Sequence, residues 1–430
     1  MIIYIVQEGD TLRSIANKFQ VPEQRIMINN CIINPEELVV GQSIVISYPK
    51  ETYVVQEGDT LEQIASKHGI TLSQLYRNNT FLWDRDYIFP DEELVISYDT
   101  RASITTNAYA FPYINKDTLK RSLPYLSYLS ILNYRTLRRG QIEALTDDTE
   151  IIELAKQFGV RPLMLLSGIS FQGVRDAETI YEILLNPKYQ ETHVENMLKA
   201  LKDKGYYGLN ITITFLTQTN QQLYFNYFER ITSILGREGY PVFVTIDTDF
   251  TNDNNQEDIV DLTPLDPLVE QIYLMKFFWG TLYGPPRPVS SITDIKINLG
   301  YVKKFIDSKK LNVAFPLLGY DWSLPYIEGL TKANAITLEV ANNLAYIEKT
   351  VIQFDEVSKT PFFMYSSTLS GVSNQHIVWF VDARSFYEVI NIVIEEELYG
   401  SGLWNIMSYC PQLWIILISN CTVIKYLPEP

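Results

Sequence analysis

GYYGLNITITF, residues 205–215, is the stretch on which both the architecture and the chemistry of this chain turn. Alternation puts Leu209, Ile211, Ile213 and Phe215 on one face of a strand and Asn210, Thr212 and Thr214 on the other. A strand buried on both faces normally carries apolar residues on both. Three uncharged polar residues lined up on one face need a physical reason, and it lies in the segments around them.

Outward from this strand, from about Thr100 onward, apolar β-like runs alternate with amphipathic helical patterns. The strand candidates are TNAYAFP, YLSILNYR, RPLMLLSG, GLNITITFL, PVFVTID, QIYLMKFFW, LNVAFPLLG and SGLWNIM, eight in all. Helical patterns such as TEIIELAKQFG, VENMLKALKDKG and QLYFNYFERITSILGREG lie between most of them. Eight β/α units predict an α/β TIM barrel, (β/α)8. Extra β-like material between the seventh and eighth strands, VIQFDEVSKTPFFMYSS and HIVWFVDARSF, predicts an inserted α+β lobe at about 320–385.

Upstream of the barrel the chain repeats itself. YIVQEGDTLRSIANKF from Tyr4 recurs as YVVQEGDTLEQIASKH from Tyr53, 49 positions on. Each copy predicts a small βααβ unit, with Thr11 and Thr60 placed to cap the first helix and Leu12, Ile15, Ala16 and Phe19 as its apolar face. The expected boundaries are 1–49, 50–99 and 100–430. Both repeats resemble LysM modules, and the VQEGDTL signature carries that resemblance. LysM modules bind glycans containing N-acetylglucosamine in a shallow groove between two loops. The resemblance implicates Gly9, Asp10, Thr11, Leu12, Asn34 and Pro35 in the first copy. In the second it implicates Gly58, Asp59, Thr60, Leu61, Leu82 and Trp83. The same Gly-Asp-Thr also makes a turn and caps a helix, which is a structural reason for those residues. Gly41 of the first copy gives way around Asp91 in the second, so a turn that needs positive φ is expected to be less well served there.

Composition narrows the function classes. The 430 residues carry a net charge of −16 and lack any run of five Lys or Arg, which argues against nucleic acid as a partner. Cys31, Cys410 and Cys421 are too few and too far apart for a disulfide framework or a metal site, and His68, His193 and His376 are scattered. Neither a metal nor a cofactor is expected. The apolar run LWIILI is too short to cross a bilayer, so no membrane role is expected. MIIYIVQEGDT has no basic leader and enters a structured pattern at once, so no signal peptide is expected.

The large domain resembles glycoside hydrolase family 18, and within it the spore cortex-lytic N-acetylglucosaminidases that carry two N-terminal LysM modules. The carrying segments are ILLNPKYQETHVENML, FPLLGYDWSLPY, QFDEVSKTPFFMY and VWFVDARSF, in the order LysM–LysM–barrel. In that family the fourth strand ends in D-x-x-D-x-D-x-E, with Asn often at the second place in the spore subgroup. Laid on it, Tyr207 stands at the first Asp, Asn210 at the second place, Thr212 at the third and Thr214 at the Glu. The family's retaining mechanism uses the substrate's acetamide as nucleophile, so the Glu must protonate the leaving oxygen. A threonine hydroxyl cannot do so near neutral pH, and losing general acid catalysis costs about 10²–10⁴-fold. On the sixth strand the family's Tyr and acidic residue are replaced by Phe277 and Phe278. The polar stripe thus reads as the floor of a sugar site without its carboxylates.

Asp321, Trp322 and Trp404 match the family's groove positions, and Trp279 is retained as well; ordinary barrel packing is the competing explanation for the tryptophans. Asp247 and Asp249, at the end of the fifth strand, are the only other acids considered for a relocated proton donor. The resemblance implies a non-catalytic protein that binds peptidoglycan or another N-acetylglucosamine polymer, made in the mother cell and laid down in the spore coat, cortex or exosporium. Two alternatives stand beside it. One is a self-assembling spore-layer or parasporal protein that pairs with itself or with other coat proteins, favoured by 29 Tyr and 20 Phe. The other is an active hydrolase with a relocated acid.

Overall fold

A computed structural model of the chain describes residues 1–430 apart from 31, 33, 84, 86, 169–175, 215, 247–259, 276–283, 370–371, 427 and 429–430. All eight predicted barrel strands are present: Ala102–Ala110, Tyr128–Thr136, Arg161–Ser167, Gly208–Ile213, Val242–Ile246, Gln271–Met275, Leu311–Pro316 and Gly400–Trp404. Each is hydrogen-bonded in parallel to its neighbours, and the eighth pairs back onto the first through Gly400↔Thr105 to Trp404↔Tyr109. The ring is closed, so the domain is a TIM barrel.

The alternation of the fourth strand is resolved by what each face meets. Leu209 and Ile213 join the large core between barrel and outer helices, with Ile211 packed against it. Asn210, Thr212 and Thr214 alternate to the barrel interior. That interior is layered. At the N-terminal ends of the strands Tyr128, Leu163, Phe243 and Tyr273 pack together, with Tyr207 and Tyr426 against them. One step further along sit Tyr109, Leu165, Met275, Ala314 and Trp404.

Between the seventh and eighth strands a five-stranded antiparallel lobe is inserted. Its strands are Leu318–Leu324, Asn334–Thr337, Gln353–Asp355, Thr360–Leu369 and Val372–Trp379, and the helix Leu338–Ile347 covers one face. Each N-terminal repeat folds as a two-stranded antiparallel sheet with two helices, Ile2–Ile5 with Ser43–Ile46 and Glu51–Val54 with Glu93–Ser97.

The repeats are docked on the barrel. Gln412, in the last helix (Pro411–Asn420), donates to Asn30 Oδ1 at 3.0 Å and to the Ser43 carbonyl at 2.8 Å. In the second repeat the Arg77 guanidinium donates to the Pro124 carbonyl at 2.8 Å, and the Tyr125 hydroxyl donates back to the Arg77 carbonyl at 2.9 Å. The Gly41/Asp91 expectation is corrected here. Asp91 adopts φ +70 and keeps the same backbone bond to Val55 (2.9 Å) that Gly41 makes to Val6. Aspartate is among the few L-residues that tolerate this region. Gly41 has a separate need, because a Cβ there would meet the Ile352 carbonyl oxygen at 1.9 Å. The glycine lets the first repeat dock on the lobe, and the second repeat makes no such approach at Asp91.

Candidate functional site

The middle of the barrel holds a buried polar chain built from four strands. Thr245 Oγ1 donates to Asn210 Oδ1 at 2.9 Å, which leaves the Tyr109 hydroxyl to donate to Thr245 Oγ1 at 2.7 Å. Asn210 Nδ2 donates to Ser130 Oγ at 2.9 Å, and Ser130 donates to Asn107 Oδ1 at 3.0 Å. All five residues are buried. Burial pushes the Tyr109 hydroxyl well above its ordinary range, so it stays protonated. Both side-chain partners of Asn210 are neutral hydroxyls. Asn210 is therefore enclosed and satisfied beneath the mouth of the barrel, not laid open as a sugar floor.

Thr214 stands one residue past the end of the fourth strand, at the C-terminal side where TIM barrels carry their sites, and is 6% exposed; Thr212 is half-buried. Tyr207 lies at the opposite end. Its amide bonds the Pro162 carbonyl at 2.8 Å, and the Arg161 guanidinium sits 4.2 Å from its ring centre. It plugs the barrel's N-terminal end and is far from any groove at the mouth. Phe215, Asp247, Asp249, Phe277, Phe278 and Trp279 lie outside the described residues.

Trp404 is 8% exposed and packs 5.5 Å from the Tyr109 ring, in the upper interior layer. Trp322 is fully buried and donates its indole N–H to the Gly284 carbonyl at 2.9 Å, with Ala333, Tyr320 and Trp379 around it. Its face is spent on lobe packing, which removes it as a sugar platform. Asp321 turns to the other face of that sheet, where it accepts from the Tyr365 hydroxyl at 2.9 Å and faces His376 Nδ1 at 3.0 Å. The three groove candidates are thus not brought together. Asn107, Tyr109, Ser130 and Thr245, which complete the polar chain, were missed by sequence reasoning. Asn and Ser at interior places in TNAYAFP and YLSILNYR were the available signal.

In the repeats, the Gly-Asp-Thr residues make the turn. Asp10 accepts from the Tyr4 hydroxyl (2.7 Å) and the Gln7 amide (2.8 Å), and Asp59 does the same with Tyr53 and Gln56. These bonds, the Gln56 amide first, hold the Asp59 carboxyl below its ordinary range. Thr11 and Ser14 form a reciprocal capping box, and Thr60 caps through the Gln63 amide. Gly9 and Gly58 take φ of +83 and +87. Leu12, Leu61 and Leu82 are at most 3% exposed in the repeat cores, so their side chains cannot stack on a sugar. Asn34 is exposed and Pro35 half-buried; Asn34 is tied to Glu37 at 2.6 Å. Trp83, 40% exposed, is one of the aromatic surfaces these loops offer, beside Tyr87 and Phe89. Among the described residues no cluster of three His, Cys, Asp or Glu could hold a metal, and no helix is long and apolar enough to cross a membrane.

A closed parallel barrel with an α+β insertion after its seventh strand follows two βααβ units. The model for "Glycosyl hydrolases family 18" matches residues 149–408, and the LysM domain matches 4–47 and 53–97. The chain belongs to glycosyl hydrolases family 18 and carries two LysM domains. It is 30% identical over 434 residues to the cortical fragment-lytic enzyme of Bacillus subtilis, covering 99% of both chains. The crystal structure of the Bacillus megaterium spore cortex-lytic enzyme SleL superposes with a TM-score of 0.81 at 27% identity, with 99% of each chain covered. The Bacillus cereus SleL structure gives 0.79 at the same identity and coverage.

Proposed function

We propose that this protein binds N-acetylglucosamine polymers of the spore, peptidoglycan foremost, and does not cleave them. The observation that carries this is the fourth strand. The positions where the resemblance puts the family's acid and its orienting Asp are Thr214 and Thr212, and the buried polar chain through Asn210 on the same strand is made of hydroxyls and amides. An aliphatic hydroxyl is far too weak an acid to transfer its proton at neutral pH, so a leaving oxygen has no general acid on this strand. The LysM loops, with Trp83 exposed, supply the binding.

Calorimetric titration of the full chain with chitotetraose, run beside a reducing-end assay on cortex fragments, tests this. Binding heat without new reducing ends is expected. Release of N-acetylglucosamine by the native chain would overturn the non-catalytic half, and absence of heat with any N-acetylglucosamine oligomer would overturn the binding half.

A further inference from the structure

A cleft of about 860 Å³ lies between the second repeat and the barrel, far larger than the 30 Å³ cavity behind the fourth strand. One wall is the repeat's helix Leu72–Asn78 and the Trp83 loop, and the other is the barrel helix Lys116–Ser122 with Tyr409. The walls are fixed to each other by the reciprocal Arg77–Pro124 and Tyr125–Arg77 bonds, so the cleft is part of the folded molecule.

Its chemistry differs from the rest of this acidic chain. Among the described residues, three cations, Arg85, Lys120 and Arg121, line it against one carboxylate, Asp117, while the whole protein carries −16. Arg85 is engaged by Glu92 at 2.8 Å, which leaves Lys120 and Arg121 without a carboxylate partner among the described residues. Arg121 is held between rings, 3.9 Å from the centre of Tyr409 and 4.8 Å from that of Trp83. Its Nε is buried and makes no hydrogen bond among the described residues. A guanidinium clamped by aromatic faces has its plane fixed and its N–H edge unspent, which suits bidentate capture of a carboxylate. Trp83, partly exposed beside it, offers an indole surface for a sugar ring.

We infer that this cleft extends the second repeat's glycan surface onto the barrel and takes an amino-sugar chain bearing a carboxylate, as the lactyl ether of muramic acid does, with Arg121 on the carboxylate and Trp83 on the adjoining sugar. The inference rests on the proposal that the repeats bind such glycans. It adds that the barrel helix selects the acidic sugar over a neutral N-acetylglucosamine run.

The test titrates the full chain with a peptide-free tetrasaccharide of alternating N-acetylglucosamine and N-acetylmuramic acid, and separately with chitotetraose. The muramic probe should bind about tenfold tighter at low salt, the size of one charge-assisted bond, and the advantage should shrink as salt rises. Arg121→Gln should bring the ratio to within about twofold while the affinity for chitotetraose holds. Arg121→Lys should recover part of the preference, because charge returns without the fork. Should Arg121→Gln fail to fold, Lys120→Gln on the exposed rim gives the same readout through a smaller drop. Equal affinity of the native chain for both probes, or a preference that survives Arg121→Gln, overturns the cleft and leaves the LysM reading standing. No heat with either probe sinks both.

Discussion

Asn210→Ala tests whether the polar stripe is a structural element or a ligand surface. Asn210 is completely buried and makes two side-chain bonds, accepting from Thr245 at 2.9 Å and donating to Ser130 at 2.9 Å. Truncation removes both. Each net bond is worth about 0.5–1.5 kcal/mol, and the orphaned Thr245 hydroxyl adds a desolvation cost of about 1–3 kcal/mol. Thr245 recovers part of this by turning to Tyr109, its other neighbour at 2.7 Å. The expected loss is therefore about 2–4 kcal/mol in barrel stability. Urea unfolding followed by near-ultraviolet circular dichroism reads the barrel's aromatic layers, and the midpoint should fall with the slope unchanged. Chitotetraose affinity should not move. A stability change below about 0.5 kcal/mol, the range of an ordinary surface substitution, together with weakened glycan binding, would refute the view that Asn210 is sealed beneath the site.

Further outcomes follow from other places in the molecule. Thr212→Asp combined with Thr214→Glu should raise hydrolysis of cortex fragments above the native chain, up to about 10²-fold; Asp247→Asn should leave the native chain's reducing-end release at background. Gly41→Ala should unseat the first repeat from the lobe, read as faster hydrogen exchange at the Ile352 amide, which bonds the Val40 carbonyl at 3.0 Å. Gly9→Ala, with nothing within 4 Å of its Cβ, should cost only the positive-φ penalty of about 1–2 kcal/mol. His193 sits buried between Thr136 and Tyr227, and burial pushes it down to about 3 from 6.5. The unfolded chain then takes up a proton that the folded one refuses, so stability is full above pH 6.5 and falls as pH drops toward 3. At pH 5.5 the loss from this residue is about 1.4 kcal/mol, and a His193→Gln chain should show a shallower acid limb in the same unfolding assay.

Alternation and repetition carried most of the fold. Leu209, Ile211 and Ile213 could only face helices once Asn210, Thr212 and Thr214 faced inward, because side chains alternate along an unbulged strand. The repeat from Tyr4 to Tyr53 likewise set two βααβ units, since the same turn and cap residues make the same local bonds in both copies. These are short-range constraints, and the local sequence contains all of them.

What the sequence could not contain was which distant groups would meet. Asn107, Tyr109, Ser130 and Thr245 come from strands up to 138 positions apart and complete the chain through Asn210 only because barrel closure brings them together in its interior. Trp322 matched a groove position by pattern, yet the lobe's packing consumes its face. Arg121 gave no signal at all in the sequence; barrel closure brings Tyr409 to it and docking of the second repeat brings Trp83. Periodicity fixes which way a side chain points, while its partners are chosen by the long-range closure and domain docking that the tertiary structure alone decides.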